Sequence, residues 1–471
     1  MFKRLVYFFV GCFAFLVLIA YFLLYTTAGN KLLKPYLKSQ IASYYPGLEL
    51  EFFELTPKKL RAKFNYQGFL DLDLNGSFSL FTQKLDLDLN GKSRSVRKPF
   101  EVRGDIRGEI RSFVTNLFTD VAGSKTRLVA EMQKLKLQRL FIDSKDLVLE
   151  DFLPLVVENN AVSGKVNFSF LGNVQTKGNF SLEVFNLKIL RKIINYPFLN
   201  EILKNASSGQ VTGKLDKDEI VDGSGVIKSE RYQLELTHIL GNINKIQAEY
   251  QLDIPSMKTL YPIVRKDFPV HFNGNFSYAK KLELSFDSQS FDGLVQGTLI
   301  NDIFEVSFEQ NSLFKLFAFL GIPQELDADV DGKLNYDTQK YSGDLKTKLT
   351  NFSIRHNQFF NLLRRYSGFD IQKENFQPFD FNLSFKNHSG LASFEIKGDH
   401  IDFVSQDFNV NFYDMSLDAP LSVGVNGNFI NLRIAGSLQE PKLSFNLSDI
   451  LKFKQIDKKI INKVQNFFKS L

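Results

Sequence analysis

The stretch Asp327-Ala328-Asp329-Val330-Asp331-Gly332 has the spacing with which an EF-hand loop opens, alternate carboxylates followed by a glycine at the sharp turn. The twelfth position of such a loop should be a bidentate glutamate, and here it is Thr338. Alternation of Asp with Ala328, Val330, Leu334 and Tyr336 instead predicts a strand with one wet face. Leu70-Asp71-Leu72-Asp73-Leu74 and Leu85-Asp86-Leu87-Asp88-Leu89 raise a second possibility, carboxylates sharing acid and base work. The same alternation sends both acids of each pair out of one strand face, which is again a solvated surface. His238, His271, His356, His388 and His400 are scattered, with no spacing that sets two beside a carboxylate. Zinc-ligand pairs, a nucleophile elbow and a phosphate-cradling glycine loop do not occur. Cys12 is the only cysteine, so disulfides, thiol catalysis and cysteine metal sites are not expected. Neither an enzyme nor a cofactor is expected. A net charge of +6, dispersed along the chain, gives no reason to expect nucleic acid.

The elements that would carry any function begin with an anchor. From Leu5 to Tyr25 no residue is charged, and at about 1.5 Å per residue such a helix crosses a bilayer core. Thr26 and Ala28 could serve a signal-peptide cleavage site, but the apolar run is longer than signal peptides use. Phe9-Val10-Gly11-Cys12 faintly matches a lipoprotein box, yet the apolar run continues well past Cys12. Lys3 and Arg4 favour a cytoplasmic N-terminus, while Lys31, Lys34 and Lys38 argue the other way. Long domains translocate largely regardless of charge, so the expectation is N-terminus inside. Residues 1–29 are read as tail and anchor, 30–47 as a juxtamembrane helix ended by Pro46-Gly47, 48–447 as a β domain and 448–471 as an amphipathic helix. That last helix carries the stripe Phe453, Ile456, Ile460, Val464, Phe467 and Leu471 amid six lysines. It would cap the sheet's end or lie on an anionic membrane.

Between these helices the period is two, with Gly and Asn turns, which predicts an antiparallel meander. Over it runs a longer repeat of short helix-like stretches near Phe152, Leu187-Lys188-Ile189-Leu190, Met257 and Leu313. Each leads to a strand entered through glycine, at Gly164, Gly213, Gly274 and Gly332. The chain has 49 phenylalanines and no tryptophan, many of them on alternating strands. Those side chains would form either a sandwich core or the lining of a trough that holds lipid chains. The candidate lining is Val166, Phe168, Phe170, Phe180, Leu182, Phe379, Phe381, Leu383, Phe385, Phe394 and Ile396.

The order of phrases in the C-terminal half resembles the AsmA family, relatives of TamB and of bridge-like lipid-transfer proteins. Leu313 to Leu316 with Ile322-Pro323 leads into Leu326 to Tyr336, then Tyr341-Ser342-Gly343-Asp344-Leu345. Phe359 to Leu363, Phe379-Asp380-Phe381 and an Ile396-to-Phe408 stretch follow. The ending is Val425-Asn426-Gly427-Asn428, Ile434-Ala435-Gly436-Ser437-Leu438 and Pro441-Lys442-Leu443. The resemblance implies a mainly β fold: an elongated, U-shaped antiparallel repeat groove with short helices, anchored in a bacterial inner membrane and reaching into the periplasm. It implies phospholipid or another lipid as ligand, and a part in outer-membrane lipid homeostasis or biogenesis. The reading from another class is a periplasmic scaffold that assists outer-membrane protein assembly through strand edges, with outer-membrane or other periplasmic proteins as partners.

Overall fold

The computed structural model describes residues 22, 25–44, 46–79, 82–94, 98–134, 136–155, 162–173, 177–190, 202, 204–217, 219–242, 244–260, 267–355, 370–411, 414–425 and 428–445. The expected anchor, apart from Phe22 and Tyr25, and the expected C-terminal helix lie outside them. The fold is mainly β. Twenty-six strands, from Leu48–Leu55 to Glu440–Phe445, are found among the described residues, in one antiparallel sheet with a few short helices. Contacts divide the chain into two compact units, 1–230 with 239–242, and 231–238 with 243–471. Among the described residues no helix is long and apolar enough to cross a membrane.

In the first unit, the twelve strands from Leu48–Leu55 to Glu219–Lys228 pair each with its neighbours in sequence. A helix leads in, Thr27–Tyr44, three residues earlier than the spacing suggested and running through Pro35. It docks along the first strand by its polar side chains. Asn30 is buried, donates from Nδ2 to Leu55 O at 2.8 Å and accepts Leu55 N–H on Oδ1 at 3.2 Å. Lys34 reaches Glu51 O, and Lys38 lies 3.7 Å from Glu49. An edge strand offers unpaired backbone groups, and this helix satisfies some of them.

The connections explain the longer repeat. On one margin of the first unit every link is a tight hairpin, as at 56–59, 80–83, 110–111 and 134–135. The opposite margin takes the long ones, 149–161 and 190–207. The first of these holds the one-turn helix Leu149–Phe152 and the 3-10 turn Leu153–Leu155. The expected helix at Leu187 to Leu190 is not there: Leu187 to Ile189 continue the strand Gly178–Ile189. A register shift after Phe185 lets that strand run on to pair with Val162 and Ser163. The bulge breaks the alternation, so its apolar residues crowd together as they do on a helix.

The second unit repeats the plan with thirteen strands from Lys245–Ile254 to Glu440–Phe445. Its long links, 255–269, 313–325 and 355–378, again share one margin. The second holds the helix Leu313–Leu320, capped by Ser312 Oγ, which accepts Lys315 N–H at 3.3 Å. Gly321 ends it at φ 71°, a left-handed conformation that suits glycine, and Ile322 N–H closes on Phe317 O at 2.8 Å. Leu313 and Leu316 pack on a buried cluster that includes Val330, Leu349, Phe352, Ile371 and Phe403. That margin of the unit is closed by apolar packing, and a second cluster of Leu383, Ala392, Phe408, Val410 and Ala419 runs toward the hairpin margin, where Leu417 and Leu438 pack on it.

Candidate functional site

Register places one continuous apolar face on the first unit. Phe53, Ala62, Leu74, Leu89, Gly104, Leu117, Leu128, Ile142, Phe170, Phe180, Gly213 and Gly223 are successive cross-strand partners, so they lie on the same side. None is charged. Neither is any member of the next row: Phe64, Leu72, Gly91, Val102, Thr119, Thr126, Ser144, Phe168, Leu182, Val211 and Gly225. The other side carries Arg61, Asn75, Asp88, Asp105 and Asn116 in the same fashion. Leu72, Leu74, Leu117, Leu128, Ile142, Phe168, Phe180 and Leu182 are all half-buried. Among the described residues no second sheet covers them.

The second unit has the matching face. Tyr250, Gly274, Phe286, Gly297, Val306, Leu334, Leu345, Leu383, Ala392 and Phe408 are successive partners, again without a charge. Glycines here make room for rings lying flat across them. A Cβ on Gly297 would meet Phe286 Cε1 and Cζ at 2.3 Å, and over that gap Phe286 stacks on Phe304, two strands away, at 5.8 Å between centroids. Gly343 opens the same passage for Phe385, whose ring lies 5.7 Å from Tyr336. Polar groups on this face turn to the protein. Tyr250 Oη donates to Ser285 O at 3.1 Å, and Thr347 Oγ1 donates to Phe381 O at 3.2 Å. Burial, with Asp287 nearby, raises the Tyr250 phenol well above its ordinary value, and burial, with Tyr341 and Asp337 nearby, also raises that of Tyr336. Both stay neutral.

The expected lining residues all fall on these faces, in two conditions. Phe168, Phe180, Leu182, Phe381, Phe385 and Phe394 are half-buried; Val166, Phe170, Phe379, Leu383 and Ile396 are buried. Val166 packs with Ala122 and Leu147, Phe379 and Ile396 belong to the cluster under the helix Leu313–Leu320, and Leu383 packs with Ala392 and Phe408. The sequence reading missed Leu117, Leu128 and Ile142. Their strands carry apolar residues on both sides, Val129 and Phe141 being partners on the polar face, which masks a period of two.

The acidic pairs lie where alternation put them. Asp73 and Asp86 meet Lys63 and Arg107 at 3.3 and 3.5 Å. Asn65 donates to Asp71 and, with Arg94, holds its carboxyl below the usual range; Arg433 does so for Asp418 from 2.6 Å. Asp327, Asp329 and Asp331 sit on the strand Leu326–Asp337, with Arg355 on Asp327 and Asn351 on Asp329. The geometry is that of a strand, not a loop. No protein-family model matches the chain, and no curated protein matches it. The AsmA-family likeness therefore rests on the phrases quoted above.

Proposed function

We propose that this chain is a non-enzymatic lipid carrier, anchored in a bacterial inner membrane with its strands in the periplasm. It would hold acyl chains on its apolar sheet faces and so serve outer-membrane lipid homeostasis. The carrying observation is the uncharged apolar face of each unit, with no second sheet over it among the described residues. Apolar faces of that extent on a folded protein mark interaction surfaces. Each methylene moved onto such a face from water gains about 0.8 kcal/mol. A row without charges fixes no headgroup along its length, so chains can shift from strand to strand.

Native mass spectrometry of the full chain, released from mild detergent, tests this directly: phospholipid should remain bound. Leu128→Asp and Phe381→Asp each put a charge on a half-buried site of the face. Bound lipid should fall while the far-ultraviolet circular dichroism stays that of a β protein. Unfolding of both variants, with no lipid on the parent, would mean the faces are a closed core. For topology, a reporter active only in the periplasm should work when fused after Leu471.

A further inference from the structure

The way the chain enters the first unit fixes which of its margins lies toward the proposed anchor. The uncharged run ends at Tyr25. Thr26 N–H and the Thr26 hydroxyl both donate to Phe22 O, at 3.2 and 2.7 Å, just before the helix Thr27–Tyr44 begins. Asn30, one helical turn further on, is bonded to Leu55, and Lys34 and Lys38 then reach Glu51 O and the Glu49 carboxylate. The helix therefore runs antiparallel to the first strand, from Leu55 back toward Leu48. Leu55 is the last strand residue before the hairpin 56–59. At about 1.5 Å per residue, Thr26 lies roughly 6 Å beyond Asn30 on the hairpin side. The anchor thus meets the unit at its hairpin margin, away from the long links.

That margin is basic. Lys58 and Lys59 stand in the first hairpin, Arg111 in the third and Lys134 in the fourth, with Lys136 opening the next strand. None of the five has an ion-pair partner among the described residues, and all but the half-buried Lys59 are exposed. The acids nearest in sequence are engaged elsewhere. Glu54 lies 3.9 Å from Arg61, Glu131 lies 3.6 Å from Arg139, and Glu109 faces Lys84 across the register. Four of the five cations lie in turns at the strand ends, so the charge borders the sheet and belongs to neither face. The hairpins adjoin: Ile110 N–H donates to Gln83 O at 2.8 Å, and Lys134 N–H donates to Arg111 O. Ile110, among these cations, is 38 % exposed. The second unit's hairpins instead hold acids beside their cations, as in Lys281 with Asp302 and Lys340 with Asp337, each at 2.8 Å.

We propose that the hairpin margin of the first unit rests on the membrane that holds the anchor, with Lys58, Lys59, Arg111, Lys134 and Lys136 meeting anionic headgroups and Ile110 reaching the interface. The proposal rests on the anchored-carrier reading and adds a second contact between chain and bilayer. Basic residues close to an anionic surface are drawn to it without fixed geometry, and an exposed apolar side chain among them enters the interface. The first four hairpins join eight strands, roughly 38 Å of margin at about 4.8 Å apiece. Beside them, on the apolar face, runs the uncharged row Phe78, Leu85, Gly108, Phe113, Met132 and Leu137, each the cross-strand partner of the next. Docking sets that row at headgroup level, where an acyl chain leaving the bilayer meets it first.

The test uses the full chain in lipid nanodiscs, of phosphatidylcholine alone or with added phosphatidylglycerol. Lysine acylation by a water-soluble ester is followed residue by residue with mass spectrometry. Lys58, Lys59, Lys134 and Lys136 should react about five-fold more slowly in the anionic discs, the factor that one cation gains near such a surface. Lys92 and Lys98, toward the opposite margin, should react alike in both. Salt at about 1 M, which cuts the screening length to about 3 Å, should abolish the difference. Arg111→Glu with Lys134→Glu should return Lys58, Lys59 and Lys136 to their rates in neutral discs, while Lys134→Arg should leave them protected. Equal rates in the two discs, or protection that survives charge reversal, overturns the docking and leaves the anchor intact. Slowing by soluble polyglutamate but not by the anionic discs assigns the rim to an acidic polypeptide and also overturns it. A chain that does not enter the discs overturns the anchored reading itself.

Discussion

Asn30 shows how much one side chain can decide at a sheet's edge. It returns both hydrogen bonds that Leu55 would otherwise find only in another strand. Asn30→Ala leaves a buried N–H and a buried carbonyl without partners, each costing about 1–3 kcal/mol. Hydrogen exchange at Leu55 should accelerate, and the linker after Tyr44 should become a protease target. Asn30→Asp is a finer probe, since it keeps the acceptor for Leu55 N–H but turns a carboxylate toward Leu55 O. It should destabilise at least as much as alanine at neutral pH. Gly297 decides a different matter, how the floor is laid. Gly297→Val sets a side chain where Phe286 crosses, and overpacking of this kind costs about 1–3 kcal/mol. In a Phe286→Ala background the same valine should cost far less, a coupling that a double-mutant cycle measures by thermal or urea melting.

At the scale of elements, the long links and the short helices they hold keep to one margin of each unit, and the links on the other margin are all short. Phe319 of the helix Leu313–Leu320 shows what the helices do there. Its ring meets Phe291 edge-on at 5.5 Å and Phe268 at 6.1 Å, and those two stack at 5.4 Å. Phe319→Ala should cost about 1.5–3 kcal/mol within the second unit, seen as loss of exchange protection at Phe268 and Phe291 before the strands melt. Most of this architecture was legible in the chain. Leu-Asp alternation announced the strands with their wet faces, and the stretch at Leu313 announced its helix. Two things were not legible, for definite reasons. The bulge after Phe185 brought Leu187 to Ile189 together as though on a helix. The apolar pair Val129 and Phe141 on the polar side hid the two strands that continue the apolar face next to Phe168 and Phe170. Register, which decides which residues share a row, comes from the hairpins rather than from any one strand's pattern, so the unbroken face appears only when all the pairings are known.

At the scale of the molecule, the proposed lipid carrier, with long uncharged rows of half-buried apolar side chains, should depend on bound lipid for stability. A ligand that binds only the folded state raises stability by RT ln(1 + [L]/Kd), about 2.7 kcal/mol at a hundred-fold excess over Kd. For units of roughly 230 residues that corresponds to a melting temperature higher by about 5–11 °C. Delipidated full chain should therefore melt low and climb continuously with added phospholipid. The climb should continue past one equivalent, because each face runs over ten or more strands, roughly 48 Å at about 4.8 Å apiece, and has room for several chains side by side. The chain has no tryptophan, so the melt is best followed by circular dichroism or calorimetry than by intrinsic fluorescence. A protein whose phenylalanines close on one another would give one melting temperature whatever the lipid concentration. A rise that stopped at one equivalent would confine lipid to a single pocket and leave the rest of the face as surface that some other partner must cover.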